Sequence, residues 1–254
     1  MGLDTGDLAG SGREGLLVGN FSSEGLGLYR SDGQDQFTDV AGTAGLVPAS
    51  LPLLTFGVLF CDFDLDGRPD ILTANGHIDP NVDLTASGVT FRERPQLFRQ
   101  EDGGRFRDVT AQAGPGLQRP GVYRGLAAAD YDGDGRPDVL VSANDGPPLL
   151  LKNESRSGNH WLQVRLQGVK SNRDGIGARV RLVTPDHPEL TQTRWIRAGS
   201  GYCSSSEPRA FFGLGAATEI KQIEIRWPDG TVQVMKHVRA DQALFLKEGL
   251  APGH

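Results

Sequence analysis

The sequence predicts an all-β protein: a partial β-propeller followed by a small β-sandwich-like domain. Three observations carry this. An acidic turn, D-x-D-x-D-G-R-P-D, occurs at Asp62–Asp70 and at Asp130–Asp138, each time followed by a short apolar run. The unit around it recurs from Asp7 to Asp62 to Asp130, at intervals of 55 and 68 residues, a spacing that suits propeller blades or stacked β-modules. From His160 onward the pattern changes to strands in which apolar and polar residues alternate. The composition agrees: Gly 35 and Pro 15 with 7% aromatics favour short strands and tight turns over long helices.

The chain opens on Gly6-Asp7-Leu-Ala-Gly-Ser11-Gly12-Arg13-Glu-Gly15, which aligns with the two acidic turns but keeps one carboxylate. Ala9, Ser11 and Gly15 stand where Asp is expected, so a turn without a metal is predicted, with Leu16-Leu17-Val18 as its strand. A hairpin signal follows, Leu28 to Phe37 through Asp32-Gly33. It returns as Leu97 to Phe106 through Asp102-Gly103. Asp39 and Asp108 are placed to cap the turns after these hairpins. The longer second interval comes from an insertion at Asn75-Gly-His77-Ile-Asp79-Pro-Asn-Val-Asp83. It reads as a surface excursion ahead of a ligand-binding loop, because loops tolerate insertion.

The third copy supplies its turn, Val139-Leu140-Val141 and Leu149-Leu-Leu151, and then stops. Residues 1–154 are therefore expected to hold about two and a half repeats, the first with a degenerate turn, and residues 155–254 a separate β-domain. In that domain Trp161–Leu166, Ala178–Leu182, Glu219–Trp227 and Thr231–Val234 alternate. Pro228-Asp229-Gly230 turns one strand into the next, and Gln242–Leu246 closes a sheet. One apolar face per strand requires a second layer, hence a sandwich.

Four carboxylates within nine residues repel one another unless a cation sits among them. Hard divalent cations choose oxygen, and Ca2+ takes about six to eight such ligands. The expected ligands are Asp62, Asp64, Asp66 and Asp70 in one turn and Asp130, Asp132, Asp134 and Asp138 in the other. The backbone carbonyls of Arg68 and Arg136 join them, making two Ca2+ sites. An EF-hand shares the opening D-x-D-x-D-G but needs a glutamate at position twelve and helices on both sides. Position twelve here is Thr73 or Val141, the flanks are β-branched, and Pro69 and Pro137 oppose an entering helix. Solvated acidic turns are the plain alternative, disfavoured because the whole spacing recurs.

The net charge of -6 and pI near 5.4 leave no basic footprint for nucleic acid. No apolar run reaches the roughly 18 residues of a membrane span. Cys61 and Cys203 match no zinc spacing and are too few for a disulfide scaffold; a bridge between them stays open. The N-terminus shows no charged segment followed by an apolar one. Because Met1 opens inside a worn repeat, a longer parent chain with further blades and an export signal is expected. No G-x-S-x-G, H-E-x-x-H or phosphate-cradling loop occurs, and His77, His160, His187, His237 and His254 are scattered.

Together these motifs resemble a known layout. The acidic turns are similar to the FG-GAP or VCBS repeats of β-propellers, including those of integrin α chains. Asn159-His-Trp161-Leu, Asn172-Arg-Asp-Gly-Ile-Gly177-Ala-Arg-Val180, Gly199-Ser-Gly-Tyr202, Ser206-Glu-Pro208, Phe212-Gly-Leu-Gly215 and Trp227-Pro-Asp-Gly230 resemble the ASPIC/UnbV domain. Repeats followed by this domain are the layout of the cartilage acidic protein family and its bacterial relatives. The resemblance implies a secreted or cell-envelope protein, Ca2+ in the propeller, and adhesion-type roles. Propellers have about four to eight blades, so an arc this short is expected to be covered or completed.

The expected function is a non-enzymatic, calcium-binding extracellular interaction or adhesion module with a protein or glycan partner. Two alternatives stand beside it. One is a metal-assisted hydrolase using His77, Asp79 and Asp83. The other is a carbohydrate-binding accessory protein offering Trp161, Trp195, Tyr202 and Trp227, which at sheet spacing read more readily as core. The 199–209 loop, flanked by Arg197 and ending in Glu207 and Arg209, reads equally as a binding loop and as a structural turn.

Overall fold

The computed structural model describes residues 1–85, 88–144, 146–185 and 191–249. Three antiparallel meanders come first. β1 (Leu3–Gly6), β2 (Gly15–Val18), β3 (Gly27–Gly33) and β4 (Gln36–Asp39) pair in chain order. β5 (Thr55–Cys61), β6 (Asp70–Asn75), β7 (Gln96–Glu101) and β8 (Arg105–Asp108) repeat the pattern. β9 (Tyr123–Ala129), β10 (Asp138–Ala143) and β11 (Leu149–Leu151) repeat it without a fourth strand. Each acidic turn joins the first strand of its sheet to the second, with Cys61 opposite Asp70 and Ala129 opposite Asp138.

Alternation along these strands gives each sheet apolar residues to set against its neighbours. Leu17, Leu28, Val58, Ile71 and Phe98 share one core, and Leu59, Leu72, Leu126, Val139 and Val141 share the next. β6 feeds both cores and is buried along its whole length. The first strands lie side by side, β5 between β1 and β9. This is the stacking of propeller blades around an inner edge.

Seven further strands make two facing sheets. They are β12 (His160–Gln167), β13 (Arg179–Val183), β14 (Thr191–Trp195), β15 (Arg209–Gly215), β16 (Glu219–Arg226), β17 (Val232–Arg239) and β18 (Gln242–Lys247). The orders are β15-β12-β18 and β14-β13-β16-β17. Leu162, Val164, Leu182, Phe212, Ile223 and Trp227 fill the space between them. β18 does not extend the β16–β17 hairpin; it crosses to the other layer and pairs parallel with β12. The chain is thus all-β, a partial propeller followed by a sandwich.

The C-terminal layers cover the inner edge of the arc. The 199–209 loop touches all three inner strands. Gly201 N donates to the Leu3 carbonyl of β1 at 3.0 Å, and Glu207 N to the Ala128 carbonyl of β9 at 2.9 Å. Gly201 also lies against the Val58 carbonyl of β5, while the Tyr202 ring stands edge-on to Phe56 at 5.0 Å. The loop is therefore a docking element. Cys61 is buried and Cys203 exposed, both as free thiols, so the bridge left open by the sequence is absent.

Gly213 of β15 shows how tight the seam is. A Cβ there would fall 2.1 Å from Asp62 Oδ2 and 2.4 Å from the Leu65 carbonyl carbon. Gly213→Ala is expected to destabilise the chain by about 1–3 kcal/mol through overpacking. Urea unfolding measures this, and an unchanged midpoint would show that the sheet can lift off the turn at no cost.

Candidate metal centre

The three turns share one backbone scaffold, built by their first aspartate. Asp62 accepts the amides of Asp66 and Gly67 at 3.1 and 2.8 Å. Asp130 accepts those of Asp134 and Gly135 at 3.1 and 2.9 Å. Asp7 accepts those of Ser11 and Gly12 at 2.9 and 2.8 Å. The aspartate–glycine framework is what folds the turn, so the degenerate first copy keeps its shape.

The ninth position ties each acidic turn to the rest of its blade. Asp70 accepts the amides of Phe63 and Gln100 at 3.1 and 2.9 Å. Asp138 accepts those of Tyr131 and Asn153 at 3.2 and 2.7 Å. In the first copy Gly15 replaces this residue, and a Cβ there would come within 2.8 Å of both Leu8 Cδ1 and the Tyr29 carbonyl. That blade has closed over the ninth position.

Positions one, three and nine converge. Asp62, Asp64 and Asp70 each bring a carboxylate oxygen within 4.8 Å of the others, and so do Asp130, Asp132 and Asp138. Burial pushes Asp62 up to about 7, with the Asp66 charge adding to it, and burial pushes Asp70 up to about 8. Asp64 and Asp138 are also raised, mainly by burial. Asp132 is lowered by its hydrogen bond to Lys152. Asp64 Oδ1 is buried and has no hydrogen-bond partner. An acceptor-only oxygen left dry among carboxylates fits a hard cation.

Position five lies outside both trios. Asp66 faces Arg68, with Nη2 to Oδ2 at 2.5 Å, and Asp134 pairs in the same way with Arg136. The sequence also gave no hint of the basic residue beside each third position: Arg99 Nε lies 3.0 Å from Asp64 Oδ2, and Lys152 Nζ 2.7 Å from Asp132 Oδ2. Each directly precedes the residue whose amide binds the ninth aspartate. A repeat alignment extended to that strand shows the correspondence. Gln163, which donates to Asp130 Oδ2 at 2.7 Å, comes from the C-terminal sandwich and has no local signal at all.

The residues named for other chemistries do not assemble. His77 is buried and its Nδ1 accepts the Asp79 amide at 3.0 Å. Asp79 accepts the Asn81 amide and Asp83 the Phe91 amide, so all three shape the insertion's own turns. His160 and His237 pair with Asp241 and Glu219, while His187 and His254 lie outside the described residues. Trp227 is core, Tyr202 packs on Phe56, and Trp161 covers Gly135, leaving Trp195 exposed alone among the four.

A cleft of about 140 Å3 runs between the blades and the sandwich, lined in part by Asp4, Glu14, Asp62, Arg194 and Arg197. Its charges are spent on one another and on the backbone. Arg197 bonds the Thr5 carbonyl at 2.9 Å and pairs with Glu14, and Arg194 bonds the Phe211 carbonyl at 3.2 Å.

Comparison with known proteins agrees with this architecture. Residues 79–141 match the FG-GAP-like repeat and residues 168–252 the ASPIC and UnbV family. Cartilage acidic protein 1 of Homo sapiens is 28% identical over 99% of this chain and 36% of its own length. Its counterpart in Xenopus tropicalis is 27% identical over 91% of this chain and 34% of its own. That of Mus musculus is 27% identical over 99% of this chain and 45% of its own. The chain thus spans less than half the length of these relatives.

Proposed function

We propose that this chain of FG-GAP-like repeats and ASPIC and UnbV domain is a calcium-stabilised, non-enzymatic interaction module. The observation that carries the reading is the dry Asp64 Oδ1, held among the Asp62 and Asp70 carboxylates with no hydrogen bond of its own. Asp62, Asp64 and Asp70 would hold one Ca2+, and Asp130, Asp132 and Asp138 a second. Asp66, Asp134 and the carbonyls of Arg68 and Arg136 complete the proposed ligand sets. Bound there, the cation neutralises the clustered carboxylates and cross-links the strands that enter and leave the turn.

A structural role is favoured because the first and ninth aspartates already spend their oxygens on backbone amides. The two domains are proposed to divide near residue 155, where the third blade ends. An extracellular or cell-envelope location is proposed from the likeness to cartilage acidic protein 1, and no described helix is long and apolar enough to cross a membrane. The partner is proposed to be a protein or glycan.

The test uses the third position, which does little of the turn's own bonding: Asp64 pairs with Arg99 and Asp132 with Lys152, while the Asp66 and Asp134 amides go to position one. Isothermal titration is expected to give two Ca2+ per chain. Asp64→Asn and Asp132→Asn are each expected to lose one and keep the fold in chelator. Absence of binding heat together with absence of retained metal by mass spectrometry would refute the reading.

A further inference from the structure

We propose that the second cation site is completed by the C-terminal sandwich: Gln163 of β12 positions Asp130, so that cation occupancy and seating of the sandwich on the blades form one equilibrium. The inference rests on the Ca2+ reading above and adds a residue and a consequence to it.

Along β12, Leu162, Val164 and Leu166 face the sandwich core, so Gln163 points the other way, toward the blades, where it is 1% exposed. A buried amide must be paired on both ends. Its Nε2 donates to Asp130 Oδ2 at 2.7 Å, the same oxygen that takes the Gly135 amide at 2.9 Å. Its Oε1 accepts from Arg209 Nη1. Arg209 Nη2 in turn lies 2.7 Å from Glu207 Oε1. The backbone of Glu207 donates to the Ala128 carbonyl at 2.9 Å, and the Ala128 amide donates to Ser206 Oγ at 3.0 Å. Ala128 is two residues from Asp130 along β9. The bonds therefore close a ring: Asp130, Gln163, Arg209, Glu207, Ala128 and back along the chain.

The ring fixes which way the amide points. A flipped Gln163 would set its oxygen against a carboxylate and its NH2 against a guanidinium. Arg209 thus holds Gln163, and Gln163 adds a fourth donor, from outside the turn, to the Gly133, Asp134 and Gly135 amides that orient Asp130. Among the described residues the Asp62 turn has no counterpart, since Asp62 meets the backbone of Gly213 where Asp130 meets a side chain. The two sites should then differ: the second depends on the docked sandwich through Gln163, and the first does not. Residues that orient a metal ligand typically change affinity about 10–100-fold when removed. Coupling between two events is reciprocal, so what docking does for the cation the cation does for docking.

The experiment uses the full chain. In the Asp64→Asn background the second site titrates alone, and Gln163→Leu is expected to weaken its Ca2+ affinity about 10–100-fold. Gln163→Leu with intact Asp64 should keep one site at its original affinity. The reciprocal measurement needs no Gln163 variant: hydrogen exchange with and without Ca2+, comparing wild type with Asp132→Asn. Residues 206–215 should gain protection with Ca2+ in wild type and lose that gain in Asp132→Asn. Unchanged affinity in folded Gln163→Leu, or Ca2+ protection confined to residues 130–138, overturns the coupling and leaves the two-site reading standing. Failure of the wild type to bind Ca2+ overturns both.

Discussion

Saturating Ca2+ is expected to raise the melting temperature by roughly 10–20 °C over a chelated sample. Each site occupied at a hundredfold excess over Kd adds about 2.7 kcal/mol, and about 2–4 °C follow each kcal/mol in a chain of this size. The two trios lie in different blades with separate ligand residues, so their contributions should add. Asp64→Asn and Asp132→Asn should each remove about half of the shift, and the double variant all of it. In chelator the double variant should melt close to wild type, because the amide bonds that shape each turn belong to positions one and nine. Scanning calorimetry in Ca2+ and in chelator measures both. Superimposed wild-type traces would eliminate cation binding as a source of stability.

The second large effect is of pH, and its clearest source lies away from the cation turns. Glu93 is buried and accepts the Leu54 amide, at 3.2 and 3.0 Å to its two oxygens. Burial dominates and pushes its carboxyl up to about 8 from an ordinary 4.5. The folded chain therefore holds a proton that the unfolded chain has released. That stability is complete below pH 4.5 and is lost as pH rises through about 8. The change is on the order of a few kcal/mol, since one pKa unit is about 1.36 kcal/mol.

Asp4, raised to about 6 chiefly by burial, acts with the same sign between pH 3.8 and 6. Chelated protein should thus lose stability steadily from pH 5 to pH 9. Glu93→Gln should flatten that slope by one proton and end more stable than wild type at pH 9. Denaturant midpoints across the range give the answer. A wild-type slope retained in Glu93→Gln would place the proton elsewhere.

Much of the fold was legible from the sequence because its signals are local. The acidic turn is a self-contained device: an aspartate, two amides supplied four and five residues later, and a glycine. It can be recognised in any copy, worn or intact. Alternation in β12 marks one apolar face, and Pro228-Asp229-Gly230 marks a hairpin; the Asp32-Gly33 signal also marks a hairpin, but β3 runs on through Gly33 and the chain turns at Gln34-Asp35. The convergence of positions one, three and nine follows from the same spacing.

What the spacing could not supply are partners distant in the chain. Asp66 looks equivalent to Asp64 in sequence, yet it turns to Arg68, while Asp64 is left with a dry oxygen and a contact to Arg99 from β7. The parallel pairing of β18 with β12 carries no local mark, since alternation says which face is buried and not which strand lies beside it.

By itself the sequence determined the repeat, the turns, the strand faces and the carboxylate clusters, because each depends on residues within one turn or one strand. Only the tertiary structure decided where the sandwich sits and what it touches. The 199–209 loop becomes a docking element, and Gln163 a neighbour of Asp130, solely because the C-terminal layers pack onto the inner strands. Those contacts join residues 33 to nearly 200 positions apart, and the packing and polar bonds of the shared seam bring them together.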